Sequence, residues 1–305
     1  MYGDNERTTA RMTNRARLAH GGIAVSLLLA GVHADAAGSV LATPDQQQVE
    51  SRAIKIVATP EVKAQIEAST RIFSALPLAA DPEAARALPP AIEELAFATA
   101  LDAVDSDSQR PKVVWGFTAP RTWFGRTVPG SRWGIDNPDN VYRIIPVDGD
   151  SKYEIKVRLN APGPIQYSFL VYDSFVGEDG RQAHLDTPVA GLRDRDIKVG
   201  ADGNFTLSVD SSPANGRANH IQTNANARVL LVRNTFSEWQ RQIPLEVSIK
   251  RLGKPTQVGH DLGRWRIVDA QPGRRLAEHE LVKREVLAQH PGHDDRPVKR
   301  DGRRL

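Results

Sequence analysis

From Lys112 onward the apolar residues of this chain recur at every second position, and that period dictates a sheet. In Lys152-Tyr153-Glu154-Ile155-Lys156-Val157-Arg158, Tyr153, Ile155 and Val157 share one face while the charged residues share the other. That is the alternation of a strand with one face buried. Val141-Tyr142-Arg143-Ile144-Ile145-Pro146-Val147 precedes it, and Asp148-Gly149-Asp150 lies between. Asp-Gly between two such runs predicts a hairpin, the glycine supplying positive φ. Further strands are expected over 165–172, 192–199, 204–209, 228–233 and 244–252, with Asp202-Gly203-Asn204 marking one turn. Many short strands with no helices between them give a mainly β fold class, an antiparallel β-sandwich or jelly roll, and exclude parallel α/β folds.

An N-terminal helical segment comes first. Thr43-Pro44 and Thr59-Pro60 each set a capping hydroxyl before a proline at the first helical position, and Asp81-Pro82-Glu83 repeats the device with a carboxylate. Val62, Ile66 and Phe73 fall near helical spacing, as do Ile92, Leu95 and Thr99. Pro77 and Pro89-Pro90 are expected to interrupt the series, since proline removes a donor and clashes with the preceding turn. Short helices covering one side of the β domain are the expectation.

The two ends read differently. Arg15 and Arg17 lead into the apolar run IAVSLLLAGV and then Ala34-Asp35-Ala36. A basic n-region, a short h-region and an A-x-A site describe a secretory signal peptide, hence a periplasmic or secreted protein, and the run is too short to span a bilayer. The expected organisation is a signal peptide over 1–36, helices over 37–110, the β domain over 111–263 and a basic, disordered tail over 264–305. The chain has no cysteine, which excludes disulfide scaffolds, a lipoprotein anchor and thiol catalysis. The pI near 9.2 suggests nucleic acid until it is divided by segment. Residues 264–305 hold 11 Lys/Arg against 7 Asp/Glu, whereas 37–263 hold 25 against 27. The β domain lacks the clustered basic face that phosphate backbones require, so no nucleic-acid partner is expected.

Three tryptophans, Trp115, Trp123 and Trp133, interleave with Arg121, Arg126 and Arg132 in one loop-rich stretch. Rings and guanidiniums together suit a sugar, a flat apolar molecule or a carboxylate, or else the rings plug one end of the sandwich while the arginines snorkel. Asp136-Asn137-Pro138-Asp139-Asn140 offers four oxygen-bearing side chains; calcium needs six to eight ligands, so a proline-locked Asx turn is favoured over a metal site. His220, within Asn219-His220-Ile221-Gln222, is the histidine that a strand could present to a cleft, although a hydrogen-bonded structural role is the commoner one. No HExxH or GxSxG occurs.

Several blocks carry a family resemblance. Asp136-Asn137-Pro138-Asp139-Asn140 with Tyr142-Arg143, then Val147-Asp148-Gly149 and Tyr153-Glu154-Ile155, is similar to the signature of a bacterial domain of unknown function, twelve-fourteen in the numbered series. Asp202-Gly203-Asn204-Phe205, Asn219-His220-Ile221-Gln222, Leu231-Val232-Arg233-Asn234-Thr235-Phe236 and Glu238-Trp239 follow in the same order. The resemblance implies an exported jelly-roll-like domain preceded by helices; it carries no reaction, cofactor or site residue.

The expected function is binding of a small ligand, a sugar or flat apolar molecule, by the β domain. Candidate contacts are Trp115, Trp123, Arg126, Trp133, Asp136, Asn137, Asp139, Arg143 and His220, with no cofactor and no metal. One alternative is an enzyme acting on a carbohydrate, lipid or steroid-like substrate with His220, Arg143 and Asp136 lining its cleft. Another is a structural or interaction protein of the cell envelope. The sequence does not set the oligomeric state.

Overall fold

The structure, a computed structural model, describes residues 39–134, 136–176 and 188–253. The signal peptide and basic tail expected from the sequence lie outside the described residues. Three helices come first: α1 (Pro44–Val57), α2 (Pro60–Ser74) and α3 (Pro82–Asp105). Each begins as its capping residue dictates. Thr43 Oγ1 accepts from the Gln46 amide at 3.1 Å, Thr59 Oγ1 from Val62 at 3.4 Å, and Asp81 Oδ1 from Glu83 and Ala84 at 2.8 and 3.0 Å. A cap of this kind is worth about 1 kcal/mol. Pro77 opens a 3-10 turn, Pro77–Ala80, that separates α2 from α3.

Pro89 and Pro90 do not end a helix, contrary to the sequence expectation; both lie inside α3. The first half of α3 is exposed around them, so water can reach the carbonyls their missing N–H groups leave free. Beyond them α3 turns inward, and Ile92, Ala96, Phe97, Ala100 and Leu101 are buried.

Among the described residues eleven strands follow: β1 (Val114–Gly116), β2 (Arg121–Trp123), β3 (Arg126–Val128), β4 (Asn140–Pro146), β5 (Lys152–Arg158), β6 (Gln166–Tyr172), β7 (Ala190–Arg193), β8 (Asn204–Asp210), β9 (His220–Gln222), β10 (Val229–Thr235) and β11 (Glu246–Leu252). They make a five-stranded sheet, β1-β4-β10-β6-β7, a four-stranded sheet, β11-β5-β8-β9, and the small ribbon β2-β3. The two large sheets pack as a sandwich around Ile145, Phe169, Leu230 and Val232 on one side and Ile155, Val157, Leu207 and Val209 on the other. The opposite face of the five-stranded sheet carries Tyr142, Ile144, Tyr172 and Leu231 and packs under the helices, against Val49, Phe97 and Leu101. The result is three layers: helices, sheet, sheet. Strand β4 is buried at all seven positions because both its faces are covered, whereas β5, covered on one face, alternates.

Four local expectations change. The Asp148-Gly149-Asp150 turn does not join a hairpin. β4 pairs with β1 and β10, and β5 with β11 and β8, so the turn is an arch from one sheet to the other. Asp148 ties it down, accepting from Ser108, Gln109, Ser151 and Tyr153 at 2.9–3.0 Å. These bonds, Ser151's first, outweigh burial and hold its carboxyl below the ordinary range. Gly149 is needed for closeness rather than positive φ: a Cβ there would collide with the Asn224 carbonyl. Second, the run expected over 192–199 is the short strand β7 followed by a 3-10 turn, Asp194–Asp196. Third, β9 runs parallel to β8, whereas the other strand pairs among the described residues are antiparallel. Fourth, the aromatic stretch folds into β2-β3 through Phe124 and Gly125, both at positive φ. That is a type I′ geometry in which Phe124 stands where Asn or Asp is usual. Among the described residues no helix is long and apolar enough to cross a membrane.

Candidate functional site

The sequence candidates separate into three places. Trp115, Trp123 and Arg126 come together around Glu50, a helix residue that the periodicity did not single out. Glu50 is fully buried on α1. Its carboxylate accepts from Gln46 Nε2 at 2.8 Å, Trp123 Nε1 at 2.9 Å and Arg126 Nη2 at 3.3 Å, and is paired with Arg121. The Arg121 guanidinium lies 4.4 Å from the Trp115 ring centre and 4.6 Å from that of Trp123. Burial lowers its pKa and Glu50 opposes that shift. Gln46 also binds both the amide and the carbonyl of Trp115. The constellation staples α1 to β1 and the β2-β3 ribbon with its polar groups turned inward.

Trp133, Asp136, Asn137 and Asp139 lie elsewhere, in an Asx turn. Asn137 Oδ1 accepts from the Asp139 amide at 2.9 Å, and Asp136 Oδ1 from Trp133 at 3.3 Å. Burial raises the Asp136 pKa against those backbone bonds. Among the described residues no group of three or more His, Cys, Asp or Glu is placed to hold a metal. The turn does position one side chain: the Asn137 amide and Asn140 Nδ2 both donate to Tyr142 Oη at 3.0 Å.

Arg143 and His220 are closed off from one another. Arg143 is buried at one end of the sandwich, donating to the Leu245 carbonyl and to Asn234 Oδ1 at 2.6 Å. Burial draws its pKa down to about 9. His220 accepts from, or donates to, Ser208 Oγ at 2.8 Å through Nδ1, and its Nε2 lies 2.8 Å from the Ser212 carbonyl. The shorter contact to the Ser212 carbonyl favours a proton on Nε2 and Ser208 as donor at Nδ1, whereas Arg217 Nη2, 3.1 Å from the same Nε2, favours the other tautomer. Asp210 is 3.9 Å away and is engaged instead by Arg217 at 3.2 Å. A ring with both nitrogens occupied and its side chain fully covered is a structural histidine.

The open concave surface lies on the helix-side face of the five-stranded sheet, beyond the helices. A cleft of about 150 Å³ there is lined by Gln166, Ser168, Leu170, Arg193, Asp194 and Arg233, among others. The sheet register explains it. Arg193 on β7 lies opposite Ser168 on β6, Ser168 opposite Arg233 on β10, and Arg233 opposite Tyr142 on β4. These four side chains form one row across four strands on one face. Among the described residues neither guanidinium is paired with a carboxylate, and the buried Arg233 Nε has no hydrogen-bond partner. Arg233 lies 5.5 Å from the centre of the Tyr142 ring, and Phe117 packs on that ring at 5.0 Å. Phe117 holds φ 58° to do so, a conformation that costs a non-glycine residue energy and is enriched at functional sites. Burial raises the Tyr172 phenol, while the fields of Arg233 and Arg193 pull it down, so the positive charge reaches along the face.

Sequence reasoning missed Arg193, Ser168, Arg233 and Phe117. Each sits in or beside a strand-like run, and the row exists only through cross-strand register, which one sequence does not display. Tyr142 was visible solely as a neighbour of Arg143.

No family model and no curated protein matches the chain. Among solved structures it is similar to an uncharacterised protein from Burkholderia cenocepacia, with a TM-score of 0.51 and 18% identity over 69% of this chain and 54% of the other. The chain spans about half the length of that protein, and the likeness is one of fold alone. A fainter likeness, with a TM-score of 0.29 and 17% identity over 40% of this chain and 33% of the other, is to a protein from Vibrio parahaemolyticus; it carries no argument.

Proposed function

We propose that this is an exported ligand-binding protein whose β domain holds a small anionic molecule between Arg193 and Arg233. The observation that supports it most is the row itself: two arginines without acid partners among the described residues, flanking a hydroxyl in an open cleft. Arginine forks suit planar carboxylates and tetrahedral anions, and charge-assisted bonds are about twice as strong as neutral ones. Asp194 leaves the lining with a net positive charge. Export rests on the leader-like sequence before residue 37. The candidates around Glu50 spend Trp123 Nε1 and Arg126 Nη2 on a buried carboxylate, although the Nε atoms of Arg121 and Arg126 keep no partner. The cleft, whose arginines have no such carboxylate among the described residues, is favoured over the aromatic stretch as the ligand's place.

Titration of the 15N-labelled full chain with sodium acetate and with inorganic phosphate tests this. The Arg233 Nε–H signal should move along a saturable curve for at least one of them. Arg193→Met should weaken that response severalfold. Shifts that merely track ionic strength, as sodium chloride gives, would refute the anion site.

A further inference from the structure

Resting on that reading, we propose that the natural ligand is a medium-length carboxylic acid with an apolar tail, bound head-first on the arginine row with the tail running toward α3. A second hollow on the same face carries the argument. It is lined by Phe117, Ile144, Tyr172, Ser174, Phe175 and Leu231, and by the buried Asp102. It begins one side-chain row beyond the arginines: Leu231, in the hollow, is the direct ladder partner of Leu170, in the cleft. Successive residues on one strand face are about 6.6 Å apart. The hollow therefore spans about 7 to 13 Å from the row of Arg193, Ser168 and Arg233. An extended octanoate sets its terminal methyl in the near end of that span, and acetate and butanoate fall short of it.

The direction is set by charge. The arginines attract a carboxylate at one end, and the lining at the other is mainly apolar. Beneath the two, the buried Tyr142 ring has Arg233 of the cleft 5.5 Å and Phe117 of the hollow 5.0 Å from its centre. Phe117 closes the apolar end only by holding its left-handed backbone. A site for a bare inorganic anion has no use for an apolar hollow beside it. A sugar would find few hydrogen-bonding groups along it.

Calorimetric titration of the full chain with sodium acetate, butanoate and octanoate, and with octanol, decides the matter. Affinity should tighten about fourfold per methylene between butanoate and octanoate. Octanol should bind at least tenfold more weakly than octanoate, and Arg233→Met should remove that difference. Ser174→Trp, which fills the hollow from a half-exposed position, should leave acetate binding intact while octanoate loses its advantage over butanoate. Octanoate binding no tighter than acetate would overturn the tail assignment and leave the anion site standing. Failure of every acid to bind would remove both. The comparison of octanoate with octanol and acetate on the unaltered chain decides the question even where a variant does not fold.

Discussion

Glu50 should be among the most costly surface-to-core ties in the molecule to cut. Its side chain is fully covered and holds Arg121, Arg126, Trp123 and Gln46. Glu50→Ala leaves Arg121 beside two indole rings with no counter-charge, and orphans the Trp123 and Gln46 donors. Removing one partner of a buried ion pair costs about 3–5 kcal/mol, because the remaining charge stays desolvated. For a folded unit of this size 1 kcal/mol moves the melting midpoint by about 2–4 °C, so the variant should melt about 6–20 °C lower. Glu50→Gln keeps the shape and one good acceptor and should lose roughly half as much. Urea unfolding at 0.1 M and 1 M sodium chloride separates this from a surface effect: the loss should persist in high salt, since covered charges are poorly screened. Glu50→Met combined with Arg121→Met should recover part of the loss, because apolar groups can replace a buried pair without leaving a lone charge. A loss below about 1 kcal/mol for Glu50→Ala, or one that vanishes in salt, would refute the account of Glu50 as the staple between helices and ribbon.

Two further outcomes are expected. Both Asp105 oxygens are buried without a hydrogen-bond partner, and burial raises its pKa well above the ordinary value, with Asp102, Asp45 and Asp107 adding to the shift and Lys112 opposing it. Its contribution to stability is fully present below the ordinary carboxylate range and falls away as pH rises through the folded-state value; Asp105→Asn should therefore flatten the decline in unfolding free energy between pH 4 and 8 and be the more stable form at pH 8. Gly149→Ala would drive a methyl group into the Asn224 backbone, so the arch must shift and urea unfolding should show a loss of about 1–3 kcal/mol; an unchanged midpoint would show that the two loops are not in contact.

Much of the fold was legible because its signals are local. The caps at Thr43, Thr59 and Asp81 act within four residues, and the period of β5 is visible in seven. What escaped depends on partners far away in sequence. Asp-Gly at 148–149 looks alike whether the flanking strands pair together or part into two sheets, and the choice is made by β10 and β8. The ribbon turn at Phe124-Gly125 lacked its usual Asn or Asp. Pro89 and Pro90 survive inside α3 only because that half of the helix stays in water. The candidate site was the least legible part. Trp115, Trp123 and Arg126 attract the eye as ligand-binding types, yet Glu50, which accounts for them, lies about seventy residues earlier on a helix. Arg193 and Arg233 are ordinary strand residues until register brings them either side of Ser168.

Strand β4 is wall to two cores at once, one shared with the second sheet and one with the helices. The change from helix to strand near residue 110 is therefore a border in secondary structure and not a place to cut. A chain begun after it would carry Tyr142, Ile144, Tyr172 and Leu231 bare on one side of its central sheet, a broad greasy surface of the kind that drives proteins to clump. The helices behave less like an appendage than like the missing third slice of the sandwich, and recombination that shuffled the β half alone into another protein would have to supply a substitute for them.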